Sequence, residues 1–196
     1  MDALYELRVV EIGEDVASAY ATKLLADLGA QVVKLGPPAG DALRRWGPFP
    51  GDRPDPEQSG LFRYLNANKR SIALDLATPA GVRDALALLA GADLLLESNR
   101  PGWLEERGLG VAALAGVNPR LALVRISPFG QTGPYRDLPT TDFVTQAAGG
   151  WVSSHGLPSA APVGVGGRIP ELMTAAFAAI SALSAVRAAR DGMPDQ

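Results

Sequence analysis

The chain has 196 residues, 47% of them hydrophobic and 20% charged, with a formal net charge of −3. That length and balance suit one α/β domain with a real core, and the charge gives no electrostatic ground for a nucleic acid or an anionic membrane as partner. With no cysteine and a single histidine, disulfides, thiolate nucleophiles and multi-histidine metal sites are all excluded, and no metal is expected.

The opening residues, MDALYELRVVEI, contain neither a basic segment nor a long apolar one. No apolar run is read as reaching the roughly 18–20 residues of a membrane span, so a cytoplasmic protein is expected. Arg8–Ile12 is a short β-branched run, and Ala17–Leu28 places apolar residues at helical spacing (Ala17, Tyr20, Leu24, Leu28). Gly29 can close that helix, and Gln31–Leu35 is again strand-like. Together they form one βαβ unit, which fixes a parallel sheet and puts a ligand at the carboxyl ends of its strands, near Gly13–Ala17.

Gly36–Gly60 is dense in proline and glycine and reads as a long loop. Its Arg44, Arg45 and Trp46 offer either a cationic and aromatic grip on a phosphorylated ligand or a solvated loop anchored by one tryptophan. Ser71–Asp75 is a strand candidate, and Thr78-Pro79 supplies a helix cap followed by a first-turn proline. Val82, Leu86 and Leu89 give the next helix a buried stripe, while Asp93–Glu97 and Leu121–Ser127 suit strands covered on both faces. The alternation implies a Rossmann-like, doubly wound, mainly parallel α/β sheet. A dinucleotide does not fit its first turn, where Gly13-Glu14-Asp15-Val16-Ala17 puts two carboxylates where a pyrophosphate would sit. Gly164, Gly166 and Gly167 are a weaker glycine-rich signal, compatible with a tight turn. Beyond them, Pro170 starts an apolar helix, Leu172–Val186, with Glu171 in its first turn, where the helix dipole favours an ionised carboxylate.

Six phrases are more specific. LLADLGAQVVK (Leu24–Lys34), NANKRSIALDL (Asn66–Leu76), ADLLLESNRPG (Ala92–Gly102), Asn118-Pro119, FGQTGPY (Phe129–Tyr135) and QAAGG (Gln146–Gly150) follow one another in this order. In this the chain resembles the family III CoA-transferases, the formyl-CoA and carnitine-CoA transferase group that also includes α-methylacyl-CoA racemase. The resemblance runs from about Leu4 to Arg190. Members are about twice this long, so residues 1–196 look like the single large-domain half of a longer chain.

The resemblance implies a Rossmann-like domain that binds CoA as a substrate, with no separate cofactor. It also implies an aspartate nucleophile, carboxylic acids as acyl partners, and a homodimer of chains linked like rings. Glu171 falls at the nucleophile's position, with Glu in place of Asp. CoA-binding positions carried over are Val16 and Ala17, Leu74, Asp75, Leu76 and Ala77, then Ser98, Asn99 and Arg100, with Arg107 as a further phosphate partner. Three departures from the family pattern accompany Glu171: Leu35-Gly36-Pro37 lacks the usual charged residues, Glu97-Ser98-Asn99 stands for Glu-Asn-Phe and loses the aromatic, and Ser18-Ala19 replaces Gly-Pro. The expected activity is CoA transfer through a carboxylate. The alternative is a degenerate, non-catalytic half that keeps the fold. Racemisation is disfavoured, because the histidine that branch needs next to Asp142 is Thr141 here, and His155 reads as a structural loop residue.

Overall fold

A computed structural model describes residues 3–192. Five strands form one sheet: β1 (Arg8–Ile12), β2 (Gln31–Gly36), β3 (Arg70–Ala73), β4 (Leu94–Glu97) and β5 (Ala122–Arg125). Their order is β3-β2-β1-β4-β5, and every pairing is parallel, with Val9 beside both Val32 and Leu94. The order reverses between β2 and β4 on either side of β1, which opens a crevice at the carboxyl ends of these strands.

Side chains alternate across the pleat. Val9, Val32, Leu94 and Ala122 face a layer made by α1 (Val16–Asp27) and α7 (Ile169–Arg190). Val10, Ile12, Leu35 and Leu95 face the other layer, made by α3 (Pro79–Leu89), α4 (Trp103–Glu106) and α5 (Val111–Val117). Two further helices, α2 (Gly60–Leu65) and α6 (Asp142–Ala148), lie in the long connections.

The expected stripe on the first helix needs correcting. Val16, Ala19, Ala21, Thr22 and Leu25 are buried, whereas Leu28 is exposed, because α7 crosses α1 and covers a face that would otherwise meet water. Small residues permit the approach: Ala179 and Ala182 of α7 share a core with Leu25 and Ala26 of α1. On α3 the buried line is Gly81, Ala85 and Leu89, with Val82 and Leu86 half-buried at its edge. Gly81 is required there, since a Cβ would stand 2.1 Å from the Asp75 carbonyl oxygen. The third strand ends at Ala73 rather than Asp75, because Asp75 folds into a turn in which its carboxylate accepts from Ala77 N–H and its carbonyl accepts from Thr78 Oγ1.

The Gly36–Gly60 segment is more ordered than its composition suggests. Asp41 caps a single 3₁₀ turn at Ala42–Arg45, and Ser59 caps α2 by accepting from Phe62 N–H. Leu43 and Leu65 are both fully buried against Val16 and Ala19. Helix α7 also corrects the expectation about membrane spans: by length and composition alone it could cross one, although one of its faces is packed against α1 and β5.

Beneath the first βα turn, Glu11 is fully buried. Its carboxylate lies 2.5 Å from Lys34 Nζ and 2.9 Å from Lys69 Nζ, and accepts from Thr22 Oγ1 at 2.6 Å. Asp41 Oδ2 lies 3.0 Å from Lys34 Nζ and completes a neutral set of two carboxylates and two ammoniums. Burial alone would push the Glu11 carboxyl up, but the two ammoniums outweigh it and hold it at about 2. Lys69 is pushed down to about 8 by burial, against the pull of Glu11. For Lys34, burial is outweighed by Glu11 and Asp41, which raise its pKa.

The unfolded Glu11 carboxyl protonates near 4.5 and the folded one near 2. Its contribution, roughly 3 kcal/mol, is therefore complete above about pH 4.5 and is lost as pH falls from there to 2. Urea titrations at successive acid pH values should show that fall. Glu11→Gln should flatten it and cost about 3–5 kcal/mol at pH 7, because two buried ammoniums lose their shared partner.

Candidate functional site

Two structures stand at the carboxyl edge of the sheet. The first is a cleft of about 180 Å³ lined by Gly13, Gly36, Leu74–Ala77, Asn99 and Arg107, among others. It adjoins a wider groove of about 520 Å³ through Leu76, Ala77 and Arg107. The turn at Asp75 presents Leu74–Ala77 to it, and β4 delivers Asn99. Buried Glu97 fixes that delivery: it accepts from Asn99 N–H at 2.8 Å and from Arg125 Nε at 2.7 Å, while Arg125 also forks onto Glu105. The Arg107 guanidinium carbon lies over Trp103, 3.8 Å from the ring centroid, and Nη1 donates to the Trp103 carbonyl. The stack holds a cation at the junction of cleft and groove.

Gly13 closes the floor. A Cβ there would fall 2.2 Å from Ser98 Oγ and 2.8 Å from Ser18 Oγ, so any side chain at this turn would force both hydroxyls to move. Ser98 Oγ is buried and makes no hydrogen bond among the described residues. Of the residues carried over from the family pattern, Leu74, Asp75, Leu76, Ala77, Asn99 and Arg107 line the cleft. Val16 and Ala17 are buried at the start of α1, and exposed Arg100 is bonded to Glu106.

The second structure is built around Glu171. The segment before α7 turns at Arg168, whose backbone is left-handed (φ 55°, ψ 32°), a conformation that costs a non-glycine residue about 1 kcal/mol or more. Pro170 then opens the helix, and Glu171 sits in its first turn. Arg168 Nη1 donates to both Glu171 oxygens, at 3.1 and 3.0 Å, and its guanidinium carbon stacks 3.8 Å above the Trp46 ring. Leu172 packs beside Val16 and Leu43, which seats the start of α7 against the start of α1. Burial raises the Glu171 pKa; Arg168 opposes this, and the charges of Asp142 and Asp15 add to it. The result is a half-buried carboxylate on a helix N-terminus, with one guanidinium partner and two acidic neighbours. It can act as a nucleophile once ionised.

Buried Gln146 of α6 fixes this loop. Its Oε1 accepts from Val165 N–H at 2.7 Å, and its Nε2 donates to Val165 O at 3.0 Å and to Asp142 Oδ2 at 2.8 Å. In the sequence Gln146 stands within the QAAGG phrase and Arg168 directly after the glycine run, but neither pattern indicates the contacts that the two side chains make. Of the two arginines read as a possible phosphate grip, Arg44 pairs with Glu57 and lies over the Phe62 ring, whereas Arg45 is exposed. His155 is exposed, its Nδ1 2.8 Å from the Trp151 carbonyl oxygen, and Thr141 caps α6. Gln146→Leu should leave Val165 unpaired, lower stability by about 1–2 kcal/mol, and speed hydrogen exchange across residues 163–168. Urea unfolding and exchange mass spectrometry measure the two effects.

The sequence model of CoA-transferase family III matches residues 4–194. Succinyl-CoA–D-citramalate CoA-transferase of Chloroflexus aurantiacus is 40% identical over 186 residues, which are 93% of this chain and 45% of that protein. Succinate–glutarate CoA-transferase of Agrobacterium fabrum is 35% identical, over 95% of this chain and 48% of its own. A solved CAIB/BAIF family protein from Brucella suis superposes with a TM-score of 0.88 at 34% identity, covering 97% of this chain and 50% of that one. The chain thus spans about half the length of these relatives. A match over residues 4–194, nearly the whole chain, with the sheet order and the carboxyl-edge cleft described above, makes this chain a member of CoA-transferase family III.

Proposed function

We propose that the protein transfers CoA between an acyl-CoA donor and a carboxylic acid acceptor, with Glu171 as the nucleophile. The observation that carries this reading is the Glu171 carboxylate, in the first turn of α7 and held on both oxygens by Arg168. The names of the relatives support CoA transfer in general.

A Glu171 oxygen attacks the thioester carbonyl, the C–S bond breaks, and CoA leaves as thiolate, giving a mixed anhydride. The thiolate then attacks the Glu171 acyl carbon and releases the donor's carboxylate. The acceptor carboxylate attacks the resulting glutamyl thioester, expelling thiolate again. Attack of the thiolate on the acceptor's carbonyl yields the new acyl-CoA and restores the Glu171 carboxylate. No general base is needed, because every nucleophile in the sequence is already an anion. CoA is assigned to the cleft at Leu74–Ala77, Asn99 and Arg107, with Arg107 on a phosphate. Val16, Ala17, Ser98 and Arg100 then act by shaping or rimming the site. A cytoplasmic homodimer, interlocked at full length, is the assembly that the family resemblance implies.

A degenerate, non-catalytic domain is the second reading. It is favoured by the glutamate itself, whose extra methylene moves the carboxylate by about 1 Å, a displacement that can cost about 10²-fold in rate. Incubation with acyl-CoA followed by hydroxylamine trapping and mass spectrometry separates the two: an adduct at Glu171, absent in Glu171→Gln, supports catalysis, and exchange undiminished in Glu171→Gln overturns it. Adduct formation should rise with pH through a midpoint above the ordinary glutamate value, since burial keeps Glu171 protonated to higher pH and only the ionised form attacks. Arg107→Ala should weaken CoA binding by about 10-fold in calorimetry, corresponding to one charge-assisted phosphate contact.

A further inference from the structure

Arg168 has donors to spare. One nitrogen, Nη1, serves both Glu171 oxygens, while Nη2 and Nε make no hydrogen bond among the described residues. The guanidinium carbon lies 3.8 Å over the Trp46 ring, which restrains the group, and the side chain remains 39% exposed. A glycine would adopt the left-handed backbone at this position without strain, as Gly167 does at φ +72°, so the arginine is there for what its side chain binds.

The charge that Arg168 faces changes as the chemistry proceeds. In the resting site the guanidinium is neutralised by Glu171. In every covalent stage of the chemistry proposed above, the Glu171 carboxyl is an anhydride or a thioester and carries no charge. Acylation therefore leaves Arg168 without its anionic partner, at the stage when an acceptor carboxylate must approach the same carbon. A planar guanidinium with a free edge suits a carboxylate held by two parallel bonds.

We propose that Arg168 is the binding group for the acceptor's carboxylate, engaged when Glu171 loses its charge and released when that charge returns. This rests on Glu171 being the acylated residue, and it goes further in assigning both the group that selects a carboxylate acceptor and the order of events. The thioester thus builds its own acceptor site, and a free acid binds the resting enzyme poorly because Glu171 already neutralises the guanidinium whose remaining donors it would use.

Glu171→Gln is a neutral mimic of the acylated state and makes the idea testable without turnover. Succinate is titrated calorimetrically into the wild-type protein, Glu171→Gln, and Glu171→Gln combined with Arg168→Met or Arg168→Lys, with circular dichroism confirming that each is folded. Glu171→Gln should bind succinate at least 10-fold more tightly than wild type. Adding Arg168→Met should abolish the gain, and adding Arg168→Lys should restore part of it. Equal affinity in wild type and Glu171→Gln, or a gain that survives Arg168→Met, overturns the proposal. In turnover, Arg168→Lys should raise KM for the acceptor more than it slows adduct formation from acyl-CoA. An absent adduct in wild type together with an Arg168-dependent gain in Glu171→Gln would overturn the nucleophile assignment and leave Arg168 established as a carboxylate site.

Discussion

The ion set around Glu11 is the constraint on which the carboxyl edge depends. One buried carboxylate ties β1 to β2 through Lys34, to the segment before β3 through Lys69, and to α1 through Thr22. Lys34 also donates to the Gly13 carbonyl at 2.7 Å, and Lys69 to the Ala19 carbonyl at 2.8 Å. The network therefore sets the path of the first βα turn as well as the spacing of the strands. Four opposite charges that cancel can be buried, whereas any three of them cannot without a large penalty. Both lysines lie within phrases that carry the family resemblance, and their contribution here is to the scaffold beneath the site.

From that turn the two halves of the site follow. Gly13 lets the chain pass close to Ser98 and Ser18, which shapes the floor of the cleft. Asp15 caps α1 by accepting from Ser18 N–H at 2.8 Å, so its negative charge is kept at the helix N-terminus, near enough to act on Glu171. Glu14 and Asp15 replace the open glycine backbone that a pyrophosphate would need. The doubly wound sheet is thus used with a carboxylate site at the first turn and a cationic one, Arg107, across the cleft.

Alanine-rich packing between α1 and α7 brings Glu171 into place. Ala175 and Ala178 meet Ala21 and Leu96, while Ala179 and Ala182 meet Leu25 and Ala26. Small side chains on both helices allow an approach that larger ones would prevent. The opposite face of α7 leaves Met173, Phe177 and Ile180 exposed, so the helix is anchored by one side only. Gln146 and Trp46 then hold the loop and the guanidinium that precede it, from α6 and from the proline-rich connection respectively.

Much of this was legible in the sequence by itself. Strand-and-helix alternation determined the parallel α/β fold, because β-branched runs separated by helical periods leave few other ways to bury both faces. The six phrases determined the family, and Pro170 followed by Glu171 marked a carboxylate in a first turn, a local relation fixed by neighbours in the chain. The tertiary structure alone decided which face of α1 is buried, since that depends on α7, some 140 residues later in sequence. It alone decided that Arg107, held over Trp103, lines the cleft while Arg100 is bonded to Glu106 outside it. The pairing of Arg168 with Trp46 lies in the same category. A stack between residues 122 positions apart leaves no periodicity to read, and the meaning of each side chain rests on a contact that only the folded chain makes.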